Sequence, residues 1–238
     1  MGETMKKVAV FVEGQTEQIF IDQLIKHIFG HNKVDIEELQ FLGKEDNRRI
    51  RTMRSISTEP AVEYFFRIYD CHGGNENSTV KSDIIEQYMK LKGESFTLII
   101  GLRDVYPLPD ADKLEFMMKI DLPDDSRLLI KIFLAVREIE AWFIAEEKHY
   151  RFIDELLSVP HVNKIVGFDI MTISTETINQ PSLTLKTIYQ SVGKDYNKKK
   201  WEVQRTVHCI DYENLYLAVR NRNNSLNELL ICLDGLMP

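Results

Sequence analysis

Lys6-Lys7-Val8-Ala9-Val10-Phe11-Val12-Glu13-Gly14-Gln15-Thr16-Glu17 decides the fold. A near-continuous apolar run ends in a carboxylate, a glycine and a helix start. Such a run suits a central strand buried on both faces by crossover helices. Gly14 permits the tight turn, and Thr16 is placed to cap a helix from Glu17 to Phe29 through its side-chain oxygen. Glu13 then falls at the carboxyl end of a central strand, where open α/β sheets gather their ligands. A carboxylate there must be paired, protonated or bound to a cation.

Outward from that strand, Val34 to Gly43 alternates as a second strand, while Lys44 to Glu59 is polar and Arg-rich, expected as a loop with irregular helix. Ala61 to Asp70 reads as a strand that ends in the glycine-marked turn Asp70-Cys71-His72-Gly73-Gly74-Asn75. Ser78 is placed to cap a helix running to about Lys92, and Phe96 to Leu102 is a second buried strand, closed by Arg103-Asp104. After a proline-marked loop, Asp110 to Lys119 looks helical. Arg127 to Val136 is a third buried strand, closed by Arg137-Glu138-Ile139-Glu140 and followed by a helix from Ala141 to Glu147. This alternation predicts an α/β fold with a mostly parallel sheet flanked by helices. Beyond Tyr150 the pattern is helical: Arg151 to Leu157, Leu183 to Val192 capped by Ser182, Lys198 to Cys209, Tyr212 to Arg220, and Leu226 to Leu233 capped by Ser225. The organisation expected is an α/β domain over residues 1–148 with a helical carboxyl-terminal region, 149–238, packed on it.

A chain of 238 residues, 44% hydrophobic and 28% charged, holds one large domain or a domain with a smaller companion. No apolar run approaches the roughly 20 residues of a membrane helix. The amino terminus lacks the marks of a secretory signal. Cys71, Cys209 and Cys232 are too few and too scattered for a disulfide framework or a zinc knuckle. A cytoplasmic protein without membrane association is expected. The net charge of −7 argues against broad coating of nucleic acid, yet it suits an acidic metal cluster whose charge bound cations offset. Basic residues gather at Arg48, Arg49, Arg51 and Arg54, and again at Lys194 and Lys198 to Lys200. Each cluster reads as a solvated face or as a phosphate grip.

Three strands end in acids: Glu13, Asp104, and Glu138 with Glu140. Adjacent strands lie about 4.8 Å apart, so carboxylates at neighbouring strand ends converge. Without a cation they repel and raise one another's pKa. Oxygen-only groups favour hard cations such as Mg²⁺ or Mn²⁺. Such a metal polarises a phosphoryl oxygen and activates a water, as phosphodiester hydrolysis requires. Glu138 and Glu140 point the same way on a strand and diverge once a helix has begun. Glu138 is therefore favoured, with Glu140 a close second; a helix-start carboxylate satisfying the dipole is the plainer account of the pair. Arg103 and Arg137 each precede an acid and suit a salt bridge or a phosphate contact. His72 reads as a loop residue, a substrate contact or a proton carrier. Gly73-Gly74 lacks the Lys-Ser/Thr partner of a phosphate loop, and Trp142 and Phe143 read as core.

Val12-Glu13-Gly14-Gln15-Thr16-Glu17, Arg103-Asp104 and Arg137-Glu138-Ile139-Glu140-Ala141-Trp142 together resemble the motifs of the TOPRIM fold. They are similar to a bacterial branch with Val-Glu-Gly-x-Thr-Glu openings, related to the RloB and OLD (overcoming lysogenization defect) nucleases. The resemblance covers residues 6 to 147 and, more weakly, the tail through Gln180-Pro181 and Tyr196 to Lys200. It implies that Glu13 is a metal ligand or general acid/base and that Asp104 binds metal. The family's second aspartate, two residues on, is here Tyr106; Glu138, Glu140, Asp110 or Asp112 would have to supply that oxygen. The function implied is a nuclease using Mg²⁺ or Mn²⁺ on DNA or RNA, in anti-phage defence. Its ATPase partner would come from another chain, and a homo-oligomer is open. Arg103, Arg137, His72 and Lys199 are the expected substrate contacts. The alternative is a catalytically degenerate TOPRIM-like module that binds a partner or nucleic acid without cutting. A different phosphoryl-transfer enzyme is the third reading.

Overall fold

Lys6–Val12 forms strand β1, and every side chain from Val8 to Val12 is buried. In the computed structural model the described residues are 5–43, 49–54, 62–72, 80–105, 119 and 128–238. Their contacts gather into two units. The first runs to Arg103 and resumes up to Leu134; the second takes Asp104 and then Ala135 to Pro238.

After β1 come α1 (Gln15–Phe29), β2 (Val34–Leu42), β3 (Arg49–Arg54), β4 (Tyr64–Asp70), α2 (Val80–Gly93), β5 (Leu98–Asp104) and β6 (Leu129–Ala135). The sheet order is β3-β2-β4-β1-β5-β6. β1 runs parallel to both β4 and β5, and β2 runs parallel to β4. β6 extends the sheet beyond β5, where Leu129 N donates to Thr97 O at 3.1 Å. The sheet is mostly parallel with helices around it, as the alternating pattern predicts.

Both faces of β1 are covered, which is why its apolar run is continuous instead of alternating. On one face Phe11 stacks on its register partner Tyr69 at 4.3 Å between centroids, and Tyr69 on Phe41 at 5.6 Å. On the other, Phe29 of α1 sits 4.6 Å from Tyr64 and 5.3 Å from Phe66. From β1 the chain moves to the β2 and β4 side, then crosses to β5. The reversal falls between β1 and β5, so Glu13 and Arg103, side by side just past the Val12–Leu102 pair, lie at the carboxyl-end switch point where such sheets bind ligands.

Gly101, opposite Phe11, has no room for a side chain. A Cβ there would come within 2.5 Å of Ile132 Cδ1 and 3.1 Å of Ile84 Cδ1. Gly101→Ala is expected to cost about 1–3 kcal/mol through overpacking. A thermal melt reads this as a fall of roughly 2–4 °C per kcal/mol at this chain length. An unchanged melting temperature would mean that Ile132 and Ile84 repack freely.

Three expectations need correction in this unit. β6, expected as a buried strand, ends the sheet order beside β5, and its residues from Leu129 to Leu134 are half-buried or exposed. Residues 49–54, expected as irregular, form an edge strand antiparallel to β2. The strand is almost wholly exposed, so no apolar alternation marks it, and its cations blunt an otherwise open edge. Arg54 joins it to α1 through an ion pair with Asp22 and to β2 by donating to Ile36 O at 3.1 Å. Thr16 does not cap α1: the helix begins at Gln15 with Gly14 at the cap, and Thr16 is buried in the first turn. The expectations at Arg48, Gly73-Gly74, Ser78, Tyr106 and Asp110–Lys119 fall outside the described residues, except for Lys119.

The second unit is helical among the described residues: α3 (Glu140–Ala145), α4 (His149–Ile153), α5 (Val159–Val166), α6 (Pro181–Gln190), α7 (Lys200–Cys209), α8 (Tyr212–Leu217) and α9 (Asn224–Asp234). α5 was not expected. Ser158 caps it, Pro160 opens it and Gly167 closes it at φ 85°, a standard start and stop on a short segment. Trp142, Phe143, Tyr150, Leu185, Tyr189 and Leu230 are wholly buried, as the core reading of Trp142 and Phe143 requires. Ser225 lies inside α9 and does not cap it; its Oγ accepts from Trp142 Nε1 at 3.0 Å. Buried Glu146 accepts from Lys148 N, His149 N and Asn214 Nδ2 at 3.0, 2.9 and 2.7 Å. Burial alone would raise its carboxyl, but the His149 side chain first, then Asn214 and the Lys148 amide, hold it below its ordinary value. No helix among the described residues is long and apolar enough to cross a membrane.

Candidate metal centre

β5 delivers Asp104 to the end of the sheet. Val105 N continues the ladder to Ala135 O at 3.0 Å, and Asp104 Oδ1 accepts from Ile139 N at 3.0 Å. Between them the chain turns sharply, with Arg137 at φ 68°. That region costs a residue other than glycine about 1 kcal/mol or more, and such strain gathers at functional sites. Ala141 N then donates to Glu138 O at 3.0 Å and α3 begins.

Glu138 is held at both oxygens: Ser182 N donates to Oε2 and Ser182 Oγ to Oε1, each at 2.8 Å. Ser182 sits in the first turn of α6, so Glu138 satisfies an orphan amide there, and Ser182 does not cap its own helix. Glu140 is fully buried, and its Oε1 accepts from Tyr196 OH at 2.9 Å. Lys198 reaches both acids, its Nζ 3.2 Å from Glu138 Oε1 and 3.0 Å from Glu140 Oε1. Lys198 itself has φ 55°.

Asp104, Glu138 and Glu140 each place an oxygen within 4.8 Å of the other two. Glu138 and Glu140 thus meet although α3 has begun at Glu140; their long side chains fold back to the one ammonium between them. Burial raises the Glu140 carboxyl above its ordinary range, with Lys198 opposing that and Glu138 adding to it. Its Oε2 is buried without a hydrogen-bond partner among the described residues. Lys198 pairs with Glu138 and Glu140, and Asp104 lies beside them. The all-oxygen donor set and the unused Oε2 suit a hard divalent cation, which takes one or two carboxylates and completes its shell with water.

Glu13 lies in the first unit and is not one of the three; its side chain is 29% exposed, and its Oε2 is 3.8 Å from Arg103 Nε. Arg103 thus makes the salt bridge its position allowed. His72 is exposed beside Gly14, its backbone N donating to Asp70 Oδ1 at 2.9 Å. Arg137 is half-buried next to Glu138, and Lys199 is exposed at the cap of α7. Ser182, Tyr196 and Lys198 join the site beyond the residues expected there. Tyr196 and Lys198 fall in the stretch Tyr196 to Lys200 that carries the weaker part of the resemblance, and Lys198 also in the lysine run.

A structure of a protein taken to be a cell surface hydrolase of Lactobacillus plantarum WCFS1 is similar at 12% identity, with a TM-score of 0.28. The match covers 69% of this chain and 64% of that one, so the chain spans less than two thirds of that protein. The likeness is too slight to bear on fold or chemistry. No curated protein matches the chain. A family match runs over residues 12–216, from the last residue of β1 through the carboxylate group and Lys198 into α8, and by it the chain belongs to the family described as a domain of unknown function, DUF4276.

Proposed function

We propose that this protein is a metal-dependent hydrolase of phosphodiester bonds in DNA or RNA, with Asp104 and Glu140 as the principal ligands and Glu138 in support. The observation that carries this is Glu140 Oε2, a carboxylate oxygen without a hydrogen-bond partner among the described residues, in a fully buried side chain beside two more acids. Mg²⁺ or Mn²⁺ held there supplies a Lewis acid for a phosphoryl oxygen and lowers the pKa of a water. Tyr196 and Lys198 orient Glu140, and Ser182 fixes Glu138. Lys198, 38% exposed at its side chain, offers positive charge where a phosphate would approach. The TOPRIM resemblance adds to this reading a cytoplasmic role in anti-phage defence beside a separate ATPase chain.

Cleavage of mixed DNA and total RNA with Mg²⁺ or Mn²⁺ tests it. The wild type is expected to cut and Asp104→Asn to fail. Loss in Glu13→Gln would add Glu13 to the machinery. No cleavage with either metal, alone or with a neighbouring ATPase, overturns the reading. A second reading rests on Lys198, whose ammonium already neutralises part of the group. On that account the domain is a degenerate module that binds a partner or nucleic acid without cutting.

A further inference from the structure

Resting on the proposed action on nucleic acid, we infer that Trp201 and the lysines beside it form a stacking platform for a single-stranded polynucleotide, leading it to the carboxylate group. Trp201 is 56% exposed in the first turn of α7. Arg205, one turn on, sets its guanidinium 5.4 Å from the Trp201 ring centroid and 5.5 Å from that of Tyr189. The indole is thus backed by a cation while over half of the residue meets solvent. It buries far less apolar surface than wholly buried Trp142.

The charge around it is one-sided. Residues 194 to 205 contain five cationic side chains and two acids in a chain whose net charge is −7. One of those acids, Glu202, is turned inward: it is buried and accepts from the backbone N of Lys199 at 3.3 Å. Lys199 and Lys200 are exposed, and the preceding Lys198 contacts Glu138 and Glu140 at 3.2 and 3.0 Å. Four consecutive residues therefore run from the carboxylates through two open lysines to an open indole.

A base can stack on an indole only when its face is free, and in a duplex that face is covered by neighbouring pairs. A grip meant for duplex backbone needs cations and no aromatic ring. Cations interleaved with an aromatic platform are the means by which single strands are bound with little sequence preference.

The chain contains two tryptophans, and Trp142 is wholly buried with its Nε1 on Ser225. Quenching of intrinsic fluorescence therefore reports Trp201. The probes are a short oligothymidylate and the same strand annealed to its complement, titrated into the full chain in EDTA so that nothing is hydrolysed. The single strand is expected to quench and to bind about tenfold more tightly than the duplex. Trp201→Ala should lose the quench and about tenfold in affinity, with Trp201→Phe keeping most of that affinity. Lys199→Glu should lower the slope of log affinity against log salt by about 1. Equal or tighter binding of duplex, binding without quenching, or no binding of either probe overturns the platform. The two ideas fail separately. Binding and quenching in EDTA without cleavage in metal keeps the platform and removes the hydrolase; cleavage in metal without binding in EDTA does the reverse.

Discussion

Glu140→Gln is expected to abolish metal-dependent hydrolysis, by about 100-fold or more, while making the metal-free protein more stable. The activity loss follows from removing the acid of the group whose buried oxygen no donor among the described residues satisfies. The stability gain follows from the same fact. Glu140 is fully buried near Glu138, its carboxyl is raised chiefly by burial, and Lys198 offsets only part of the charge. An amide of the same shape can keep the Tyr196 contact at its oxygen and can donate to a neighbouring carboxylate. Replacing a buried charge by a neutral side chain of similar volume is stabilising by about 1 kcal/mol or more where the charge is poorly compensated. At 238 residues that is a rise of roughly 2–4 °C in melting temperature, read in EDTA. Retained activity would remove Glu140 from the ligands. Lost stability would mean that Lys198 and Tyr196 compensate the charge fully.

The parts of this chain that were legible are those where burial writes a pattern. β1 and β5 are apolar without interruption because helices cover both sides, and the acids that end them stand out against that background. Edge strand β3 escaped because pairing with β2 is backbone chemistry, and its exposed side chains carry no period. The site was half legible for the same reason. Asp104, Glu138 and Glu140 are acids at strand ends, where position alone makes them suspect. Ser182, Tyr196 and Lys198 reach them from 44 to 60 residues away in sequence, by packing no local pattern encodes. Ser182 was even assigned a different partner: a serine after proline at a helix start reads as a cap, but here its amide and hydroxyl both serve Glu138. Arg103 shows the converse, since the same placement that suits a phosphate contact also suits the ion pair with Glu13.

Lys198→Met separates the catalytic reading from the degenerate one. The substitution keeps most of the length of the side chain and removes the only ammonium within reach of Glu138 and Glu140 among the described residues. Both carboxylates are buried while Lys198 is 38% exposed, so removing it strands their charge at a cost of about 1–3 kcal/mol, below that of a fully buried pair. The melting temperature in EDTA should therefore fall by roughly 2–12 °C. What happens next depends on what the carboxylates are for. If they form a metal site, loss of the competing ammonium leaves it more negative, and Mg²⁺ or Mn²⁺ should bind more tightly than in the wild type. A ligand at 100 times its Kd stabilises by about 2.7 kcal/mol, so saturating metal should restore most of the lost stability. If Lys198 is the intended counter-ion, the pocket is shaped for an ammonium on a side chain and no divalent cation will replace it; the variant then melts at the same low temperature with or without metal. Rescue by metal thus identifies a ligand group independently of any substrate, and its absence leaves Glu138 and Glu140 as acids paired with Lys198.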